Sequence, residues 1–245
     1  MRKMLYPVIP PVLFKAWDRI NREGPNLSWP FSRTGIDRNI ELIFDVGANI
    51  GDVTKSAYDN FPHAKIYAFE PVKSTYATLC KNLQGRTDRV LPFNIGFFNA
   101  NQKVEINLSS FHGASSIIEQ SKDHIEEHRK LDIKEIGKEE IEVRTMDSFM
   151  TERSIGKIDV VKIDVEGVER EVIEGGRETL KNQVDNVLVE LSLLRRNRES
   201  EYWLDICYDL YELGFMLINL YDVARYEKKE RTYLAQMDAY FSKKK

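Results

Sequence analysis

The chain reads as an α/β domain built on a mostly parallel sheet, with helices on both faces and an antiparallel last strand. Three observations predict this. From residue 41 onward, short apolar β-type runs alternate with helical patterns, as in sheets covered on both sides. The first run ends in a glycine loop, Asp45-Val46-Gly47-Ala48-Asn49-Ile50-Gly51, that opens into a helix. The last two β-type runs follow one another with no helical pattern between them, so they pair antiparallel, which such sheets tolerate.

The elements follow in order. Residues 1–40 form an appendage, with an amphipathic helix near 12–22 and a Pro/Gly/Ser/Trp loop at 24–30. Strand 41–46 leads to a helix near 52–60 that carries Val53, Ala57 and Phe61 on one face. Strand 65–69 leads to a helix near 73–84, with Tyr76, Leu79 and Leu83 inward and Gly85 as its stop. Strand 90–95 follows. The rhythm then pauses over 97–150, an insertion with β-like stretches at 103–108 and 141–146 around a charged helix near 120–136. It resumes with strand 158–164, helix 168–181, strand 186–191 and helix 200–213, closed by Gly214. Strands 215–220 and 231–237 end the domain, which thus runs from 41 to 245.

At 245 residues, 42% hydrophobic and 31% charged, the composition is that of an ordinary globular enzyme. A formal net charge of -3 removes the electrostatic case for nucleic-acid binding. Cys80 and Cys207 lack motif spacing and read as reduced thiols, which favours a cytoplasmic setting. No run reaches the roughly 18 apolar residues of a transmembrane helix. The apolar stretch at 4–14 is broken by Pro7, Pro10 and Pro11 with no cleavage site after it, so it is not read as a signal peptide. Docking on the protein's own surface is the plain reading of that arm, and peripheral membrane contact the sharper one.

The glycine loop suits a nucleotide cofactor. Glu70, ending the second strand about 20 residues after the loop, is placed for a ribose diol. The loop lacks the first close glycine pair of the dinucleotide fingerprint, and Asp45 would repel a pyrophosphate. It would attract the sulfonium and ammonium of S-adenosylmethionine. A second constellation is Val160-Val161-Lys162-Ile163-Asp164-Val165-Glu166-Gly167. Alternation along a strand would send Asp164 and Glu166 to one crevice at the strand's carboxyl end, and Glu190 ends the neighbouring strand. Three converging acids suit a sulfonium, a general base or a hard cation such as Mg²⁺. No metal-ligating set is assigned, although a divalent cation stays open.

Together these segments resemble the FkbM-type methyltransferases, a branch of the class I S-adenosylmethionine-dependent methyltransferases. The resembling residues are Phe44 to Gly51, Ala68-Phe69-Glu70-Pro71, Val143 to Phe149, Val161 to Glu169, and Val172-Ile173-Glu174-Gly175-Gly176. The resemblance implies a Rossmann-like, seven-stranded sheet, S-adenosylmethionine as cofactor, and O-methylation of a sugar, glycan or natural-product hydroxyl. It places Asp45, Gly47, Asn49 and Gly51 at the methionine end, Glu70 on the ribose, Asn94 near the adenine and Asp164 beside the transferred methyl.

An alcohol is a poor nucleophile, so a base is expected to take its proton. Candidates are His112, in the small-residue loop Ser110-Phe111-His112-Gly113-Ala114-Ser115-Ser116, together with Asp164, Glu166 and Glu190. His63, His124 and His128 read as surface residues. Arg195-Arg196-Asn197-Arg198 is a solvated turn or a grip on an anionic acceptor. The rival readings are an NAD-type oxidoreductase and a non-catalytic cofactor-binding module. Oligomeric state has no sequence signal.

Overall fold

In the computed structural model of the chain, the residues described are 35–110, 115, 117, 134–193, 203–228 and 231–243. They form, in chain order, β1 (Leu42–Val46), α1 (Asp52–Asn60), β2 (Lys65–Phe69), α2 (Lys73–Asn82), β3 (Val90–Phe93), β4 (Gly96–Phe97), β5 (Gln102–Ser109) and β6 (Glu135–Arg144). Then come α3 (Met146–Glu152), β7 (Ile158–Ile163), α4 (Glu169–Gly175), α5 (Arg177–Gln183), β8 (Val184–Ser192), α6 (Trp203–Glu212), β9 (Phe215–Lys228) and β10 (Arg231–Lys243).

Seven strands make one sheet in the order β3-β2-β1-β7-β8-β10-β9. β1, β2, β3, β7 and β8 pair in parallel, while β10 runs antiparallel to both β8 and β9. The chain winds outward from β1 to β3 and then returns to lay β7 against the other side of β1. That reversal opens a crevice at the carboxyl ends of β1 and β7, where open α/β sheets bind ligands.

Period-two alternation sends each strand's apolar residues to opposite faces. Phe44, Val46, Val161, Ile163, Val187, Val189, Ala239 and Phe241 pack with Phe149, Val172, Leu180, Ile206 and Leu210 of α3 to α6. On the other face, Ile43, Ile66, Ala68, Val160, Leu188 and Tyr240 pack with Ala57 of α1 and Leu79 of α2. The polar residues at the carboxyl ends therefore stand on the second face, beside α1.

Several boundaries differ from the sequence expectation. The expected strand at 141–146 runs from Glu135 to Arg144. Its first half is exposed on both sides and is held to β5 by cross-strand pairs, Lys103 with Glu140 and Lys138 with Glu105, so it carries no apolar alternation to read. The charged helix placed near 120–136 lies outside the described residues except at its end, where Glu135 and Ile136 are strand. α3 was not expected. Thr145 caps it by accepting the Ser148 N–H, and Asp147 accepts the Glu178 and Thr179 N–H groups at the start of α5. The helix expected over 168–181 breaks at Gly176. Gly175 sits so close to the Phe98 carbonyl that a Cβ there would lie 1.9 Å from its oxygen. β9 and β10 reach well past 220 and 237, and they pair antiparallel as expected.

The ring of Phe149, on α3, meets five others edge-on or nearly so: Phe44, Tyr67, Phe69, Phe93 and Phe97, with centroids 5.1 to 6.5 Å away. Phe149→Ala should therefore lower unfolding free energy by about 3–5 kcal/mol. Urea denaturation checks this, and a loss below about 1 kcal/mol would show that the cluster does not hold α3 to the sheet.

Candidate cofactor and acceptor site

The site starts from a lysine inside the sheet. Lys162 on β7 stands in register with Asp45 on β1, and its side chain is 3% exposed while that of Asp45 is fully enclosed. Its Nζ lies 3.3 Å from Asp45 Oδ1 and 3.3 Å from Asp164 Oδ2, and it donates to the Gly47 carbonyl at 2.9 Å. Burial alone would pull the ammonium's pKa down, but Asp164 and Asp45 outweigh it and hold the group above the ordinary lysine value. The other oxygen of Asp45 accepts from Thr54 Oγ1 of α1 at 2.5 Å. Asp45 thus ties strand, loop and helix together instead of presenting a bare charge to a ligand.

The glycine loop closes over this pair. Gly47 and Ala48 donate to the Phe69 carbonyl at 3.0 and 2.9 Å, and Asn82 of α2 donates to the Ile50 carbonyl at 2.9 Å. Gly47 has φ +77°, and a Cβ there would lie 1.8 Å from the Asp164 carbonyl oxygen. Asn49 takes φ +49°, and its buried Oδ1 has no hydrogen-bond partner among the described residues. An orphaned acceptor at the loop's tip is a ready partner for a ligand donor.

Glu70 is 7% exposed and hangs between two backbone donors, Asn49 N–H on Oε2 and Val72 N–H on Oε1, both at 3.0 Å. Burial pushes its carboxyl up to about 7 against the pull of those donors. Asn94 donates to the carbonyls of Glu70 and Pro71, both at 2.9 Å, so it clamps the turn that presents Glu70.

Past Ile163, the chain leaves the strand. Asp164 donates its N–H to the Val46 carbonyl at 3.1 Å, Glu166 takes φ +60°, and Gly167 takes φ +104°. Glu169 Oε1 fastens this bend by accepting the Val165 and Gly167 N–H groups at 3.2 and 3.0 Å. Asp164, Glu166 and Glu190 do converge, with one oxygen from each within 4.8 Å of the others. A left-handed bend brings Glu166 round, not the strand alternation expected from sequence.

The structure therefore gathers Asp45, Gly47, Asn49, Glu70 and Asp164 around one crevice, with Glu166 and Glu190 at its rim. Gly51, at φ +94°, starts α1 with its Cα against Leu79, where a Cβ would lie 2.7 Å from Cδ1. His112 and the arginines at 195, 196 and 198 lie outside the described residues. Sequence reasoning passed over Lys162, Thr54, Glu169 and Asp238. A lysine between valines and isoleucine in a central strand was the available signal for the first, because a buried ammonium requires carboxylate partners.

Comparison with known proteins gives one family. The profile of the methyltransferase FkbM domain matches residues 45–217. The chain is 30% identical over 183 residues to the 2-O-methyltransferase NoeI of Sinorhizobium fredii, covering 69% of this chain and 74% of that one. It is 28% identical over 172 residues to methyltransferase sdnD of Sordaria araneosa, covering 61% and 65%. It is 27% identical over 151 residues to the hexuronic acid methyltransferase AglP of Haloferax volcanii, covering 62% and 56%.

Gly47 and Gly85 separate backbone strain from collision. Both have positive φ, but a Cβ at Gly85 meets nothing within 4 Å. Gly85→Ala should cost about 1 kcal/mol, the strain alone. Gly47→Ala should cost at least roughly 2 kcal/mol more, since backbone must move. Equal losses in chemical denaturation would contradict the packing described for the loop.

Proposed function

Because the chain belongs to the FkbM methyltransferase family, we propose that it transfers the methyl group of S-adenosylmethionine to a hydroxyl of a sugar or glycan. The observation that carries this reading is the pairing of two parts across the β1–β7 crevice: a suspended Glu70 carboxylate and an acidic rim. The residues fit the cofactor. Glu70 is placed to accept the two ribose hydroxyls, and the orphaned Oδ1 of Asn49 offers an acceptor to the methionine end. Asn94 shapes the adenine side through the turn it clamps. Lys162 cancels one of its two carboxylate neighbours, so the crevice stays net negative, which suits a cationic sulfur centre.

When bound, the cofactor supplies an electrophilic methyl on a positively charged sulfur. The chain's part is to hold the acceptor oxygen in line with it, a positioning effect worth several kcal/mol, and to receive the hydroxyl proton. Asp164, Glu166 and Glu190, clustered at the rim, are candidates to receive that proton, and His112 is the fourth. The sugar preference rests on the relatives: the printed names of two are a 2-O-methyltransferase and a hexuronic acid methyltransferase. Natural-product hydroxyls are the broader class. Among the described residues, no helix is long and apolar enough to cross a membrane.

Against the oxidoreductase reading stand the acids at the rim and the missing first glycine pair. Asp45 no longer weighs in that comparison by itself, since Lys162 neutralises it. Calorimetry should show S-adenosylhomocysteine binding and no binding of NAD; the reverse pattern would overturn the proposal. Methyl transfer from labelled cofactor to uronic acid or hexose glycans should be lost in Asp164→Ala, while full activity in that variant would remove Asp164 from the site.

Glu70 gives the affinity a pH dependence. Its ionised form is the better acceptor for two ribose hydroxyls, so binding of S-adenosylhomocysteine should weaken about tenfold from pH 8 to pH 6, as expected for one group titrating near 7. The sign for the ligand-free fold is opposite. A carboxyl raised above its unfolded value stabilises the fold at acid pH, and that contribution is lost as pH rises through about 7. Glu70→Gln should bind more weakly with a flat profile over this range, and an unchanged slope would show that another group sets it.

A further inference from the structure

The rim acids have a neighbour that the methyl-transfer reading does not use. Asp238 on β10 is the register partner of Glu190 on β8, so both carboxyls stand on the same face of the sheet. Asp238 is 7% exposed, and its side chain makes no hydrogen bond among the described residues. Burial and the nearby Asp164 and Asp222 carboxylates push its carboxyl well above the usual range, with Lys162 pulling the other way. A largely buried carboxyl with no hydrogen-bonding partner among the described residues costs free energy until something satisfies it.

Lys162 is not that partner: its Nζ donates to the Gly47 carbonyl at 2.9 Å and lies 3.3 Å from carboxylate oxygens of Asp45 and Asp164, and among the described residues its ion pairs are with those two. Glu190 is steadied by the Gln236 amide, which donates to Oε1, and Glu166 is turned toward the rim by its left-handed backbone. The oxygens of Asp164, Glu166 and Glu190 span no more than 4.8 Å. In a six-coordinate shell with bonds of about 2.0–2.6 Å, ligand oxygens lie roughly 3 to 5 Å apart, so the cluster is already near the size of one hard cation.

We propose that Asp164, Glu166 and Glu190, backed by Asp238, form a divalent-cation site of the Mg²⁺ or Mn²⁺ type at the mouth of the crevice. All-oxygen donors select hard ions over zinc or copper. Three monodentate carboxylates leave coordination positions open, and a sugar hydroxyl in one of them becomes more acidic and fixed in place. That role rests on the methyltransferase reading; the ion site itself does not.

The test uses the full chain, stripped of metal and titrated with Mn²⁺ while free Mn²⁺ is followed by electron paramagnetic resonance. One ion per chain is expected, with a dissociation constant on the order of 10⁻⁴ M or tighter. Glu190→Gln should weaken it at least tenfold and Asp238→Asn at least threefold, with S-adenosylhomocysteine affinity held within about threefold in Asp238→Asn. No saturable Mn²⁺ binding, or equal affinity in wild type and both variants, would overturn the site. Should Glu190→Gln fail to fold, Asp238→Asn and Glu166→Gln carry the same comparison. Loss of S-adenosylhomocysteine binding with Mn²⁺ binding intact would sink the proposed cofactor and leave the ion site standing.

Discussion

A charged lysine with a 3% exposed side chain, caught between the carboxylates of two adjacent strands, is the constraint on which the crevice depends. An ammonium in that position is tolerable only with partners in place, and removing one partner of such a pair typically costs about 3–5 kcal/mol. Lys162 meets the requirement in a way that also builds the site. Asp45 joins it from β1, Asp164 from the end of β7, and the Gly47 carbonyl from the loop. Two stretches distant in sequence, 45–47 and 162–164, are thereby fixed at one point.

The rest of the geometry follows outward from that point. With Gly47 pinned, the loop turns at Asn49, whose N–H meets the carboxylate of Glu70 at the end of β2. Glu70 in turn holds Val72, and Asn94 from beyond β3 holds the same turn. On the other side, Asp164 leads into the bend fastened by Glu169, which sets Glu166 beside Glu190. The two halves of the crevice have different chemistry for this reason. One is a set of suspended acceptors for hydroxyls, and the other is a concentrated negative rim.

The fold was legible because its signals are strong and local: apolar strands buried on both faces, a glycine loop at the first turn and an adjacent final pair of strands. Boundaries failed where the physics is not carried by apolar periodicity. The first half of β6 is polar on both sides and linked to β5 by ion pairs, and α3 is one short helix defined by a Thr145 cap and the burial of Phe149. For the site, Asp45 was found but its pairing with Lys162 was not, because pairing across β1 and β7 depends on register that the sequence does not display. Lys162 was quoted in the motif and given no role for the same reason. Asp238 lies more than 70 residues from Asp164 in a strand of ordinary composition, and only the β8–β10 ladder brings it to the rim.

The most direct measurement is a double-mutant cycle on the buried pair, using Asp45→Asn, Lys162→Met and the combination, with unfolding free energies from chemical denaturation. The account predicts a coupling energy of roughly 2 kcal/mol or more, each single variant stranding a charged partner that the double variant removes. Additive losses within about 0.5 kcal/mol would contradict it, because Lys162 and Asp45 would then be held by something other than each other.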